Sequence, residues 1–215
     1  MRNFLIAFIL IFLVTVCIVD VYTVVSPSME DTLFVGDMII ILKFWYGIRV
    51  PFTDIVIMKH HKPSVNDILL FTFPTNPAED YLKRCVAVGG QTVEVKEKKL
   101  YVDRVLVPLP AGGKHADSGL FQPDADTQKK KKALGISDMF GPDRRDVMPV
   151  VTVPDTAVFV MGDNRDFSLD SRALGFVPVS NIKGRAWLIF ASYDPKISWA
   201  DLKHKMRRGR WGRIK

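Results

Sequence analysis

Residues Phe4 to Val25 hold a single charged side chain, Asp20, in 22 positions. As an α-helix at about 1.5 Å per residue the stretch would reach roughly 33 Å, against about 30 Å for the hydrocarbon core of a bilayer. A membrane anchor over residues 1–25 is therefore expected, with Asp20 in the headgroup region if the helix starts at Asn3. The competing reading is a cleaved leader, whose apolar stretch would be shorter and followed by small residues in an Ala-Xaa-Ala arrangement. Asp20-Val21-Tyr22-Thr23-Val24-Val25 offers no such site. Only Arg2 and the terminal amine precede the span, which favours an N-terminus inside and the rest of the chain outside the cytoplasmic membrane.

The formal charge of +7 invites a nucleic-acid reading, and its distribution argues against one. Seven basic residues and no acidic one lie between Lys203 and Lys215, so the remainder of the chain is formally neutral. Residues 201–215 are thus expected to form a basic tail, either solvated or, with Trp211, held at an anionic lipid surface where each cation near the headgroups contributes about 1 kcal/mol. Of the two cysteines, Cys17 falls in the apolar segment and Cys85 far from it, so both are expected as free thiols.

Beyond the anchor the signals are those of strands. Phe34–Lys43 and Asp67–Phe73 are short apolar runs bounded by turn residues, and Tyr81–Val88 alternates imperfectly. Thr92–Val95 and Leu100–Val107 suggest a hairpin around Lys98-Lys99, with further strands at Ala157–Met161 and Arg185–Ala191. Pro108 to Val150, with Ala-Gly-Gly and a lysine run at 129–132, looks like a loop-rich insert. The chain is expected to be mainly β, with a β domain over 26–95 and 155–200 and an inserted subdomain within 96–154.

Three blocks carry reactive groups. Ser26-Pro27-Ser28-Met29 follows the apolar segment directly, so the Ser28 hydroxyl would sit near a membrane surface; as a bare motif it also fits an ordinary loop. Lys83 lies in the strand pattern Tyr81-Leu82-Lys83-Arg84. If it faces inward, burial disfavours its charge and lowers its pKa; if outward, it is a solvated lysine beside Glu79 or Asp80. The third block is Gly162-Asp163-Asn164-Arg165-Asp166-Phe167-Ser168-Leu169-Asp170-Ser171-Arg172. Carboxylates and guanidiniums at this density can brace one another through bidentate pairs and hold a loop rigid.

These blocks, in this order, resemble the boxes of bacterial type I signal peptidases. The resemblance implies a coiled antiparallel β-sheet catalytic domain behind a single N-terminal transmembrane helix, and a serine endopeptidase that removes signal peptides from exported precursors. It implies Ser28 as nucleophile, Lys83 as general base, and the Ser28 N–H with the Ser26 hydroxyl as oxyanion hole. Ser168 would orient the lysine, Asp170 and Arg172 would form a supporting ion pair, and Tyr81 joins the supporting residues. Departures from the family pattern are Asp31 where proline is usual, Ala87-Val88-Gly89-Gly90-Gln91 in place of Gly-Leu-Pro-Gly-Asp, and Leu174 in place of an aromatic.

A neutral Lys83 would accept the Ser28 proton as the hydroxyl attacks. The substrate would add as an extended strand to a sheet edge, with shallow pockets for small side chains. Met29, Phe34, Phe44 and Trp45 are candidates for dipping into lipid or for packing in the core. His60-His61 lacks a nucleophile motif and further ligands at metal spacing, so neither metal nor cofactor is expected. The expected partners are signal-peptide-bearing precursors and membrane lipids, not nucleic acid, with the enzyme a monomer. Two alternatives stay open: a specialised Ser/Lys processing protease of a conjugation or pilus system, and a catalytically silent tethered binding module.

Overall fold

A computed structural model of the protein describes residues 3–4, 18–49, 56–57, 61–74, 76–116, 119 and 144–214. Contacts divide the chain into two units, one formed by Met1–Val25, Val35–Lys62 and Lys183–Lys215, the other by Ser26–Phe34 and Pro63–Ile182.

In the first unit, strands β1 (Val19–Thr23) and β2 (Asp37–Leu42) pair antiparallel from Val19 opposite Leu42 to Thr23 opposite Met38. Ile39 and Ile41 alternate inward along β2 and are fully buried. β1 corrects one expectation. Val19–Thr23 spends its backbone hydrogen bonds on β2 rather than on a helix, so the apolar segment does not run as one helix to Val25, and Asp20 is paired with Lys43 at 2.9 Å. Residues 5–17 lie outside the described residues, and no described helix is long and apolar enough to cross a membrane. Two short strands, β3 (Ile48–Arg49) and β4 (Val56–Ile57), pair with each other.

The C-terminal segment, expected as a basic tail either solvated or held at lipid, is partly folded. Asp201 caps a short helix, Leu202–Lys205, by accepting from the His204 N–H, and a last strand, Gly212–Arg213, pairs with the strand over Ile182–Ser192. Arg210 grips the buried Asp37 through Nε and Nη2, and Ser192 Oγ donates to the same carboxylate at 2.6 Å. Lys205 is buried, with its ammonium against the Asp194 and Ile197 carbonyls and 4.3 Å from the Trp199 ring centre. Counting charges along the sequence could not reveal that several of these cations are consumed by tertiary partners.

The second unit holds two antiparallel sheets. In one, β5 (Ile68–Phe73), β6 (Asn76–Val88), β11 (Ala157–Met161) and β12 (Val177–Pro178) are neighbours in that order. In the other the order is β10 (Met148–Thr152), β7 (Thr92–Lys96), β8 (Lys99–Val102) and β9 (Val105–Val107). The expected hairpin turns at Glu97 and Lys98, both with positive φ, one position earlier than the sequence suggested. Met148–Thr152 belongs to this sheet, so its pairing with β7 claims the end of the expected insert; residues 120–143 lie outside the described residues.

Val93, Val95, Leu100, Val102, Met148 and Val151 from the smaller sheet pack with Val86, Ala87, Phe159 and Met161 from the larger one. Their burial, at roughly 25 cal/mol per Å² of apolar surface removed from water, gives the unit its main driving force. Because β6 is flanked by β5 and β11, every residue from Leu82 to Ala87 is buried. A lysine and an arginine therefore sit where strand positions are usually apolar, and each needs a partner.

Candidate active site

The loop carrying Ser28 is shaped by its own sequence. Ser26 is the N-cap of a single 3₁₀ turn, Pro27–Met29, and its Oγ accepts from the Ser28 N–H at 3.3 Å. Proline at the first position costs no hydrogen bond there and presets φ. Met29 is buried in the second unit, and its Sδ accepts from the Asp163 N–H, so this residue belongs to the core and not to a lipid-facing surface.

Lys83 Nζ lies 2.6 Å from Ser28 Oγ and 3.2 Å from the Leu82 carbonyl oxygen, and both Ser28 and Lys83 are only 4% exposed. Burial lowers the lysine pKa from 10.5 to about 8, against the pull of Asp170 and Asp163. Amine and hydroxyl thus meet in a water-poor site, with roughly one lysine in ten neutral at pH 7.

The charge-dense loop surrounds this pair. Asp170 is fully buried, caps the helix Ser171–Leu174 through the Arg172 N–H, accepts from the Gly162 N–H, and receives Arg172 Nε and Nη2 at 2.9 Å each. Burial alone would raise its carboxyl, but the Arg172 charge and these hydrogen bonds outweigh it and hold it below the usual range. Arg172 continues to the Arg145 and Arg165 carbonyls. The expected Asp170–Arg172 pair is therefore formed and buried.

Ser168 is placed differently from its expected role. Its Oγ is buried without a hydrogen-bond partner of ordinary geometry, and Lys83 bonds to Ser28 and Leu82 instead. The Ser168 hydroxyl still helps to hold Asp170 low, and it lies over Gly162, where a Cβ would come within 2.3 Å of it. Tyr81 packs edge-on to Phe73, with its hydroxyl donating to Glu79 and its ring centre 6.0 Å from Lys83 Nζ. It borders the lysine.

Several residues at the site were not singled out from the sequence. Arg84 extends to Asp163 in a fork, Nε to Oδ1 and Nη2 to Oδ2, both 2.8 Å, and Thr32 Oγ1 donates to the same carboxylate at 2.6 Å. Asn164 reaches the Ser28 loop through backbone and side chain. The density of charge in residues 162–172 hinted at Asp163 and Asn164, and Arg84 stood out only as the neighbour of Lys83. His61 stacks on Trp45 in the first unit, and His60 lies outside the described residues. Cys85 is a buried free thiol, raised to about 12 by burial and Asp67. Among the described residues no group of three or more His, Cys, Asp or Glu is disposed to hold a metal ion.

A hydroxyl held against a water-starved amine, beside backbone N–H groups and braced carboxylates, is an arrangement capable of acyl transfer through a serine ester, the chemistry of serine hydrolases. The family model for signal peptidase, peptidase S26, matches residues 1–191. A signal peptidase I of Pseudomonas aeruginosa is 36% identical over 202 residues, covering 84% of this chain and 68% of that protein. One from Aquifex aeolicus is 34% identical over 208 residues, covering 81% and 77%. A crystallised signal peptidase I from Enterococcus faecalis V583 aligns at a TM-score of 0.37 and 26% identity, over 58% of this chain and 97% of that one. The chain belongs to the signal peptidase family, peptidase S26.

Proposed function

We propose that the protein is a serine endopeptidase that removes N-terminal signal peptides from exported precursor proteins, with Ser28 as nucleophile and Lys83 as general base. The observation that carries the reading is the 2.6 Å separation of Lys83 Nζ and Ser28 Oγ in a buried site. Neutral Lys83 takes the Ser28 proton as Oγ bonds to the scissile carbonyl carbon, whose π electrons move onto oxygen. The oxyanion settles on the Ser28 N–H and the Ser26 hydroxyl, which must first exchange their mutual hydrogen bond for it. Collapse expels the amine, which leaves with the lysine proton, and water then cleaves the acyl-enzyme by the same base. Asp170 and Arg172 keep the surrounding loop in place, and the Tyr81 ring borders the lysine.

A single N-terminal anchor, with the catalytic residues at the outer face of the cytoplasmic membrane, accords with the apolar residues ahead of β1. Phe4–Ile18 would extend about 22 Å as a helix, short of a full hydrocarbon core of about 30 Å, so flanking residues would share the interface. Lipid is then a neighbour of the enzyme, and one chain holds all the groups the reaction needs.

The test presents purified protein in detergent with a precursor bearing an Ala-Xaa-Ala site, comparing wild type, Ser28→Ala and Lys83→Ala. Cutting at that site by wild type and loss of at least about a thousandfold in both variants is expected. Equal cutting by wild type and Lys83→Ala would remove the lysine from the mechanism.

A further inference from the structure

We infer that Asn164 is a positioning residue that sets the orientation of the Ser28 N–H for the oxyanion, an inference that rests on the oxyanion reading above. The Asn164 backbone N–H donates to the Ser28 carbonyl oxygen at 3.0 Å, and its side-chain Nδ2 donates to the Pro27 carbonyl oxygen at 3.2 Å. These are the peptide units on either side of the Ser28 Cα. In a trans peptide the C=O and N–H point to opposite sides of one rigid plane. A donor fastened to the Pro27 oxygen therefore also fixes the direction of the Ser28 N–H, away from Asn164 and toward Ser26 Oγ. With the second plane held through the Ser28 oxygen, neither φ nor ψ of the nucleophile is free to drift.

The amide is used one-sidedly. Asn164 is 2% exposed, and its Oδ1 is buried without a hydrogen-bond partner. A buried polar atom left unmatched carries a desolvation cost, so its presence needs a compensating use for the rest of the group. The donor half supplies that use. Asn164 is itself held from the other side, where Lys114 N–H donates to the Asp163 carbonyl and Arg165 N–H to the Lys114 carbonyl, each at 3.0 Å. Lys114 Nζ also reaches Asp31 and Glu30, at 3.0 and 3.1 Å. The strand-like strap around Lys114 thus locks the 163–165 backbone to the loop it positions. No hydrogen bond joins the asparagine to the attacking oxygen or the amine, so it acts through its bonds to the backbone.

The experiment compares Asn164→Ala, the near-isosteric Asn164→Asp and Ser26→Ala in the full chain in detergent. It measures kcat and KM on a precursor peptide, affinity for a peptide aldehyde whose serine adduct places an oxygen in the oxyanion position, affinity for the released signal-peptide product, and melting temperature. Each Asn164 variant should lose roughly ten- to hundredfold in kcat and the same factor in aldehyde affinity. KM and product affinity should stay within about twofold of wild type, and in Asn164→Ala the pH midpoint of kcat should not move. If Asn164→Ala does not fold, Asn164→Asp, which keeps the shape and reverses the side-chain dipole toward Pro27, carries the comparison. Aldehyde affinity unchanged in the Asn164 variants while Ser26→Ala lowers it overturns the inference alone. Unchanged affinity in Ser26→Ala as well overturns the oxyanion reading beneath it.

Discussion

Arg84 and Asp163 form a fork of two 2.8 Å hydrogen bonds, although 79 residues separate them in the chain. The side chains are 5% and 0% exposed, so the attraction is screened far less than at the surface. Since Arg84 follows Lys83 on β6, and Asp163 precedes Asn164, the fork joins the strand of the proposed base to the loop that holds the nucleophile.

Removing one member leaves the other charged and buried. Arg84→Ala should therefore destabilise the protein by about 3–5 kcal/mol. Arg84→Lys keeps the charge without the two-pronged geometry and should fall between the two. Urea unfolding followed by tryptophan fluorescence gives the comparison, and equal midpoints for wild type and Arg84→Ala would contradict the buried-pair account.

The proton affinity of Lys83 sets the pH dependence. Below a pKa of about 8 the amine is charged and cannot accept the Ser28 proton, so kcat/KM should rise about tenfold per pH unit up to that value and then level. Asp170 and Asp163 both favour the charged form. A midpoint near 10.5 would mean that the lysine is solvated in the working enzyme.

The same shift bears on stability. Lowering the pKa from 10.5 to about 8 on folding makes the contribution of Lys83 unfavourable, by about 3 kcal/mol at its largest. Between these values the unfolded chain binds more protons than the folded one, so wild-type stability rises with pH through that window. Lys83→Met removes the burden and should be more stable than wild type at pH 7, with the advantage shrinking from about pH 8 upward. Denaturation at pH 7 and at pH 10 tests both sign and window.

Gly162 is needed for space. A Cβ there would lie 2.3 Å from Ser168 Oγ and 2.5 Å from the Ser28 carbonyl oxygen. Gly162→Ala must push the nucleophile loop aside, costing roughly 1–3 kcal/mol in stability. It should also lower kcat more than it raises KM, as steady-state kinetics on a precursor peptide would reveal.

How much of this was legible depended on the range of the interaction. β11 and β5 were readable because Ala157–Met161 and Ile68–Phe73 are near-continuous apolar runs, as strands covered on both faces must be. The lysine inside the β6 pattern announced itself as misplaced, and the motif order supplied its partner. Arg84 with Asp163 and Asn164 with Pro27 were out of reach, because hydrogen-bond geometry between distant segments leaves no periodic trace. Val19–Thr23 was read as helix because apolar length alone was weighed; the β2 edge that recruits it lies fifteen or more residues downstream. The basic C-terminus misled for the same reason, since Arg210 and Lys205 find their partners only in the folded unit.

Asp31 takes φ of 77°, a left-handed conformation, where the related enzymes usually have proline, and its carboxylate meets Lys114. A proline ring is fixed near −65° and cannot follow that path. The turn beyond Met29 is thus a local dialect of this chain. Transplanting a relative's segment into it would mean carrying Lys114 and its flanking strap along, since the one would be unintelligible to the fold without the other.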